Sequence, residues 1–280
     1  MNSRCPSTNA AAIVLLVPEL PEVETVTRSI KPLVGRRIIN AEFRCMRVLR
    51  GGDPQQMAER LRGRKIAGVK RYGKFIVVTL DRGGYFLIHL GMTGKLLLGG
   101  EPGKHTHGIL TLDRGVLLYD DSRQFGCLQF SESFPARVSR LGPEPLEVAF
   151  EDFFASLHKH KTRIKGLLLN QKFVRGVGNI YADEALFRAG IHPLAIASRL
   201  RKDRAHKLFD SMREVLAEAI DAGGSSISDY VDAQGRKGFF QFSHRVYQRT
   251  GKPCISCGTP IRKVLVTQRS SHFCPKCQKR

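Results

Sequence analysis

Two C-x2-C pairs, Cys254/Cys257 and Cys274/Cys277, stand sixteen residues apart near the end of the 280-residue chain. A pair of such knuckles brings four thiolates to one tetrahedral point, the arrangement a structural Zn²⁺ demands. The stretch between them, TPIRKVLVTQRSSHF, predicts a β-hairpin, and hairpin plus knuckles make a zinc ribbon. Four protein ligands close the coordination shell, so the metal is expected to fold the module and take no part in chemistry. A redox role for one C-x-x-C leaves the second unexplained. Cys5, Cys45 and Cys127 are scattered, with no role legible in the sequence. An odd total with one tight cluster is not a secreted disulfide framework; a reducing cytoplasm fits better.

Lys and Arg number 46 against 25 Asp and Glu, a net charge of +21. Self-repulsion at that level is unfavourable, and a polyanionic partner is the usual reason to carry it, a generally basic soluble surface being the alternative. No run approaches the ~20 apolar residues of a membrane-spanning helix. With 42% hydrophobic residues the chain can build real cores, and its length suits two domains or one domain plus a small module.

Hydrophobic periodicity divides the chain. Val23, Val26, Ile30 and Leu33 or Val34 share a helical face after Pro18, with Pro21, Glu22 and Glu24 at a favourable helix start and Gly35 as a stop. RIINAEF, GVKRYGKFIVVTL, YFLIHLGMTGKLLL, HGILTLDRGVLLYD and CLQF then predict a sandwich or barrel of roughly eight short strands. RLGPEPLEVAF marks a boundary, after which FEDFFASLHKH, TRIKGLLLN, NIYADEALFRAG and RKDRAHKLFDSMREVLAEAIDAGG read as four helices. The Gly-, Ser- and Lys/Arg-rich segment from Gly223 to Phe242 reads as a mobile loop. The fold class is α+β multidomain. The expected parts are an extension over 1–17 that is not in the mature protein, a helix plus β-sandwich over 18–142, a helical domain over 143–243 and the ribbon over 244–280.

Three further stretches carry chemistry. FVRGVGNIYADE is a Gly-rich turn between helices; Asn179 and Ile180 open the second, whose free N–H groups suit a phosphate, although such a turn is also often only a turn. The basic segment HKHKTRIK, with His160 and Lys161, favours the phosphate reading. HLGMTG and DDSRQFG place Met92, Arg123 and Phe125 at strand ends, either as ordinary core and surface residues or as apolar wedges and an Arg that fill a vacated place in a base stack.

PELPEVETV, KFIVVTLDRGGYFLIHLGMTG, KHTH, DSRQFG, LGPEPL, GVGNIYADEALFRAGIHP and the cysteine ribbon, in that order, resemble the formamidopyrimidine-DNA glycosylase family from Pro18 to the C-terminus. These are bacterial base-excision repair enzymes that remove oxidised purines such as 8-oxoguanine; the related endonuclease VIII branch, which takes oxidised pyrimidines, is the nearest alternative. The resemblance implies a monomeric enzyme of the cytoplasm, associated with the nucleoid, acting on double-stranded DNA that contains oxidised bases, with no membrane association. It implies a helix-two-turn-helix fold for the helical domain. Pro18 takes the place of the family's N-terminal nucleophile, and Glu19 that of its acid/base carboxylate, with Glu22 in support; both are otherwise ordinary helix-start acids. Lys74 matches the lysine that contacts phosphate and assists elimination. Arg269 matches the ribbon arginine that grips phosphate at the lesion and serves the second elimination. His105 and Arg123 match DNA contacts, Met92, Arg123 and Phe125 match the trio that fills the gap left by the flipped base, and Gly223 to Phe242 matches the lesion-capping loop.

The chain departs from the family at its start. There the proline follows a methionine that is removed, whereas seventeen residues precede Pro18 here. A proline within a chain is an amide and cannot form an iminium, so a retained extension implies a non-catalytic DNA-binding relative. A secretory signal is the second explanation, but the charged region is thin and no small-x-small site precedes Pro18. The reading adopted is a translation start placed too early, with Val17 at the initiator position: a GTG codon encodes valine and also starts translation.

Overall fold

The computed structural model describes residues 17–227 and 229–280. Cys5 and all of the expected extension except Val17 lie outside the described residues. Helix α1 (Leu20–Ile30) starts as its sequence predicts, with Glu19 in an extended capping conformation, Pro21 in the first turn and the Glu22 carboxylate accepting from the Glu19 N–H at 2.8 Å. A 3₁₀ turn over Lys31–Leu33 continues it, and Gly35 at φ +92° ends the run.

Strands β1 (Ile38–Phe43) and β2 (Leu49–Arg50) lead to α2 (Pro54–Leu61). That helix was not expected, although its signal is present: Asp53 accepts from the Gln56 N–H at 3.0 Å and Pro54 occupies the first turn. Then come β3 (Ile66–Tyr72), β4 (Phe75–Leu80), β5 (Tyr85–His89), β6 (Gly94–Leu98), β7 (Thr106–Leu112), β8 (Val116–Asp121) and β9 (Cys127–Ser131). They form a four-stranded sheet, β1-β7-β8-β6, and a five-stranded sheet, β2-β9-β5-β4-β3. The sandwich is as expected; the strand beyond the expected eight is the two-residue β2, which pairs in parallel with β9.

A short α3 (Ala136–Ser139) precedes the four expected helices, α4 (Phe150–His158), α5 (Ile164–Leu168), α6 (Asn179–Arg188) and α7 (Lys202–Asp221). Helix α6 is the central one: Ile180 through Phe187 are all buried. The ribbon hairpin, β10 (Arg262–Val266) and β11 (Arg269–Phe273), turns through Thr267 and Gln268, both at positive φ (47° and 59°). Among the described residues no helix is long and apolar enough to cross a membrane.

Helix α1 belongs to two cores. Leu20 packs into the helical core, while Val23, Val26 and Ile30 pack into the sandwich. The head of α1 therefore lies where the two halves meet. The segment read as a mobile loop is docked there as well. Tyr230 and Ala233 are buried in the sandwich core, the Tyr230 hydroxyl donates to the Glu22 carbonyl at 3.2 Å, and the Ala233 carbonyl accepts from the Leu98 N–H at 2.8 Å. Its polar composition hid two side chains with a core to fill.

Candidate active site and DNA interface

Pro18 is buried at the head of α1, next to Glu19, which is 3% exposed. The Glu19 carboxylate accepts from the Ile180 N–H at 3.0 Å and the Tyr181 N–H at 3.4 Å. These are the free donors at the start of α6 that the sequence reading offered to a phosphate. The structure gives two of them to a carboxylate of the chain itself, because a buried helix start needs an acceptor and α1 supplies one. Both glycines of the preceding GVGN serve this approach. A Cβ on Gly176, at φ +90°, would meet Leu20 Cβ at 2.8 Å, and one on Gly178 would meet Glu19 Cδ at 2.2 Å. Gly178→Ala should therefore push the carboxylate aside and slow base excision about 10²-fold in single-turnover assays, the usual cost of an ångström of misplacement; an unchanged rate would show that Glu19 tolerates displacement.

Burial pushes the Glu19 carboxyl up to about 7, with Glu22 adding to the rise and Lys74 and the two N–H groups opposing it. A carboxyl that titrates near neutrality can both give and take a proton at working pH. Glu22 is 2% exposed, and its carboxyl pKa is also raised, mainly by burial. It is a clamp: it accepts from the Glu19 N–H, from the Ser225 N–H at 2.7 Å and from the Tyr181 hydroxyl. It thus ties α1 to α6 and to the segment after α7.

Lys74 sits with Gly73 in the two-residue turn between β3 and β4, and the turn rests against Arg175 and Gly176. Burial lowers its ammonium pKa, as does the positive Arg269, while Glu19 and Glu22 raise it. Two cavities flank Pro18. The smaller is lined by Val17, Pro18, Glu22, Met92, Ile180, Ser225 and Tyr230. The other, about 200 Å³, is lined by Glu19, Lys74, Gly178, Asn179 and Arg269, together with Val17, Leu169 and Gln171. Glu19, Lys74, Asn179 and Arg269, predicted from four separate parts of the chain, thus meet there, two of them cations and Asn179 at the first position of α6.

The trio at the strand ends also meets. The Arg123 guanidinium lies 4.8 Å from the Phe125 ring centroid, its Nη1 is 4.0 Å from Met92 Sδ, and Phe125 is 54% exposed, which excludes a core role for that ring. Asp121, not singled out in the sequence, holds this loop: fully buried, it accepts from the Arg123 N–H at 3.3 Å and the Gly126 N–H at 2.7 Å. The adjacent acids of YDD were its only signal. His105 is exposed before β7, and Lys161 is exposed after α4, where His160 packs edge-on against Phe173 at 5.9 Å; none of the three lines the cavities at Pro18. Sequence reasoning missed Tyr181, Ser225 and Tyr230, a helix residue and two residues of a polar loop whose roles arise only from tertiary contact.

The donor atoms of Cys254, Cys257, Cys274 and Cys277 lie within 4.8 Å of one another. The sulfurs of Cys254 and Cys277 are 3.9 Å apart and those of Cys257 and Cys274 3.5 Å apart. Zn–S bonds of about 2.3 Å in a tetrahedron place sulfurs about 3.8 Å apart, so the donor set fits the ion. Backbone N–H groups of Ser256 and Cys277 point at Cys254 and Cys274 sulfurs, both at 3.4 Å, which suits thiolates. Cys257→Ser should lose zinc by elemental analysis and with it most affinity for duplex DNA, because the ribbon carries Arg269; full affinity without metal would overturn this.

What this fold and site define is a DNA repair glycosylase. Family models match the formamidopyrimidine-DNA glycosylase N-terminal domain over residues 17–128, the formamidopyrimidine-DNA glycosylase H2TH domain over 141–231, and the zinc finger found in FPG and IleRS over 251–280. The chain belongs to the formamidopyrimidine-DNA glycosylase family. It is 73% identical over 264 residues to the formamidopyrimidine-DNA glycosylase of Solibacter usitatus, covering 94% of this chain and 100% of that one. It is 42% identical over 275 residues to that of Methylococcus capsulatus, with the same coverage. Among solved structures, the MutM (Fpg) protein of Thermus thermophilus matches with TM-score 0.85 and 43% identity over 93% of this chain and 98% of that one. A Lactococcus lactis Fpg mutant in complex with Fapy-dG containing DNA matches with TM-score 0.87 and 37% identity over 94% and 100%. The enzyme is a DNA glycosylase with abasic-site lyase activity, and its C-terminal module is a zinc finger with one structural Zn²⁺.

Proposed function

We propose that the working enzyme begins at Pro18 and excises oxidised purines from duplex DNA through the secondary amine of that residue. Two facts support the start. The N-terminal family model begins at residue 17, and complete relatives align to 94% of this chain. On this reading the catalytic part spans 18–142, the DNA-gripping helices 143–243 and the ribbon 244–280, and the enzyme works in the cytoplasm at the nucleoid.

The carrying observation is the position of Glu19: a carboxyl titrating at about 7, next to Pro18. The smaller cavity, with Met92, Ser225 and Tyr230, lies on one side of Pro18 and the cationic cavity on the other. The flipped base belongs to the first and the phosphates beside the lesion to the second, where Lys74, Asn179 and Arg269 receive them. Met92, Arg123 and Phe125 fill the vacated place in the stack, and His105, His160 and Lys161 grip the backbone. The Pro18 nitrogen bonds to C1′ and the C1′–base bond breaks, the base leaving with a proton from Glu19. The Pro18 nitrogen passes its own proton to O4′ as the C1′–O4′ bond opens, and the iminium so formed draws electrons. A proton leaves C2′ as the 3′ phosphate departs, then a proton leaves C4′ as the 5′ phosphate departs, and hydrolysis frees the amine.

A duplex with one 8-oxoguanine opposite cytosine should be cut at the lesion, leaving phosphate on both ends of a one-nucleotide gap. Preferential cutting at oxidised pyrimidines, or binding without cutting, would overturn the assignment.

A further inference from the structure

Arg269 is the member of the site that the ribbon supplies. It is exposed and follows directly on the tight Thr267–Gln268 turn, so its guanidinium goes where the hairpin is held. Two buried charges hold it. The Lys165 ammonium donates to the Ser270 carbonyl at 2.9 Å and pairs with Asp183 Oδ1 at 2.6 Å, both side chains being 0% exposed. Asp183 Oδ2 accepts from the His272 N–H at 2.9 Å and from His272 Nδ1 at 3.0 Å. The residues next to and three beyond Arg269 are thus tied to one ion pair. Helix α5 adds a close approach, since a Cβ on Gly166 would meet the Thr267 methyl at 3.2 Å.

Asp183 stands four residues after Asn179 on α6, one turn along the same face. The helix that caps Glu19 with its first N–H groups therefore also sets the height of β11. A buried ion pair is a poor way to gain stability, because desolvation offsets most of its attraction, but it is geometrically demanding. Here both carboxylate oxygens of Asp183 face donors that lead to the ribbon or to Lys165.

We infer that Asp183, paired with Lys165, is a positioning residue: it locks β11 to α6 and so holds Arg269 beside Lys74 and Asn179 at the phosphate cavity. This rests on the proposed role of Arg269 in the second elimination. Base release depends on Pro18 and Glu19; the Lys165 charge reaches Glu19, so both charges of the pair must go together to leave the net charge beside that carboxyl unchanged.

The test compares Asp183→Asn/Lys165→Met, in which the charges are removed together, with Arg269→Ala and the wild type. Each is made with Pro18 N-terminal and checked for zinc content. Single-turnover release of 8-oxoguanine is followed together with the two products of a preformed abasic site: the unsaturated aldehyde left by the first elimination and the 3′ phosphate left by the second. The double variant should release base at the wild-type rate and bind zinc, yet lose on the order of tenfold in the second elimination, as Arg269→Ala does. His272→Leu, which removes the Nδ1 bond to Asp183 and leaves the ion pair and the residue 272 N–H bond in place, should shift the products the same way by a smaller factor and serves if the double variant does not fold. A wild-type product ratio in the double variant, or in His272→Leu, with a shifted one in Arg269→Ala overturns the lock. A wild-type ratio in Arg269→Ala overturns the role of Arg269 and the lock with it.

Discussion

Protein prepared with Pro18 at its N-terminus should form a borohydride-stable covalent adduct with an 8-oxoguanine duplex, and protein retaining Val17 should form none. The reason is electronic. In a peptide bond the nitrogen lone pair is delocalised into the carbonyl, so Pro18 joined to Val17 has nothing to offer C1′. Freed, it is a secondary amine in a class whose reference pKa is ~7.7–8.0 against ~10.4 for lysine, so a useful fraction is neutral at pH 7. The site cannot substitute a neighbour by sliding: Glu19 is fixed on α6 and Leu20 is fully buried in the helical core. The remaining amines are Lys74, which burial makes a better nucleophile than an ordinary lysine, and, where Val17 is itself N-terminal, the α-amine of Val17, which lines both cavities. An adduct formed by Val17-retaining protein would therefore move the nucleophile to one of these two and remove Pro18 from the mechanism. Intact mass of the native protein provides the parallel check, with a species starting at Pro18 expected.

Which parts of this were legible in the sequence follows from how local their causes are. Cys254, Cys257, Cys274 and Cys277 announce themselves because metal geometry dictates ligand spacing. The head of α1 is legible because Pro21 and Glu22 are helix-start residues. The strand runs are legible from alternation, but α2 was passed over: eight residues with three buried apolar side chains give little periodicity, although Asp53-Pro54 marks its start. The free N–H groups at the start of α6 suit a phosphate on local grounds, and no local signal could reveal that Glu19, some 160 residues earlier, takes two of them. Gly178 looked like turn chemistry, yet it is required to leave room for Glu19. Composition misled at 223–242, because mobility depends on what a segment can bury, and Tyr230 and Ala233 find a core only once the sandwich exists. Asp183 and His272 lie 89 residues apart and had no signal at all.

Glu19→Gln should lose about 10²- to 10⁴-fold in base excision, the range that a general acid–base group contributes, while nicking of a preformed abasic site and salt-sensitive affinity for DNA largely persist. The amide keeps the side chain's size, and its oxygen still accepts from one N–H of α6, so the loss is chemical and not one of shape. The pH profile separates the two. With Glu19 titrating at about 7 and an α-amine at ~7.7–8.0, the reacting pair must hold one proton between them. Excision by the wild type should then trace a narrow bell, falling below about pH 7 as both groups protonate and above about pH 8 as both lose their protons. Residual activity of Glu19→Gln should keep one limb, rising with the amine. Stability moves in a sense fixed by the same shift. Because the folded pKa lies above the ordinary value of 4.5, Glu19 contributes stability below about pH 4.5 that is lost as pH rises to about 7. Glutamine carries no such loss, so the melting temperature of the variant relative to the wild type should climb between pH 5 and 8. A variant that excises at the wild-type rate, or whose relative melting temperature falls over that interval, would show that the Glu19 carboxyl is an ordinary ionised cap on α6 and that the proton for the leaving base comes from elsewhere.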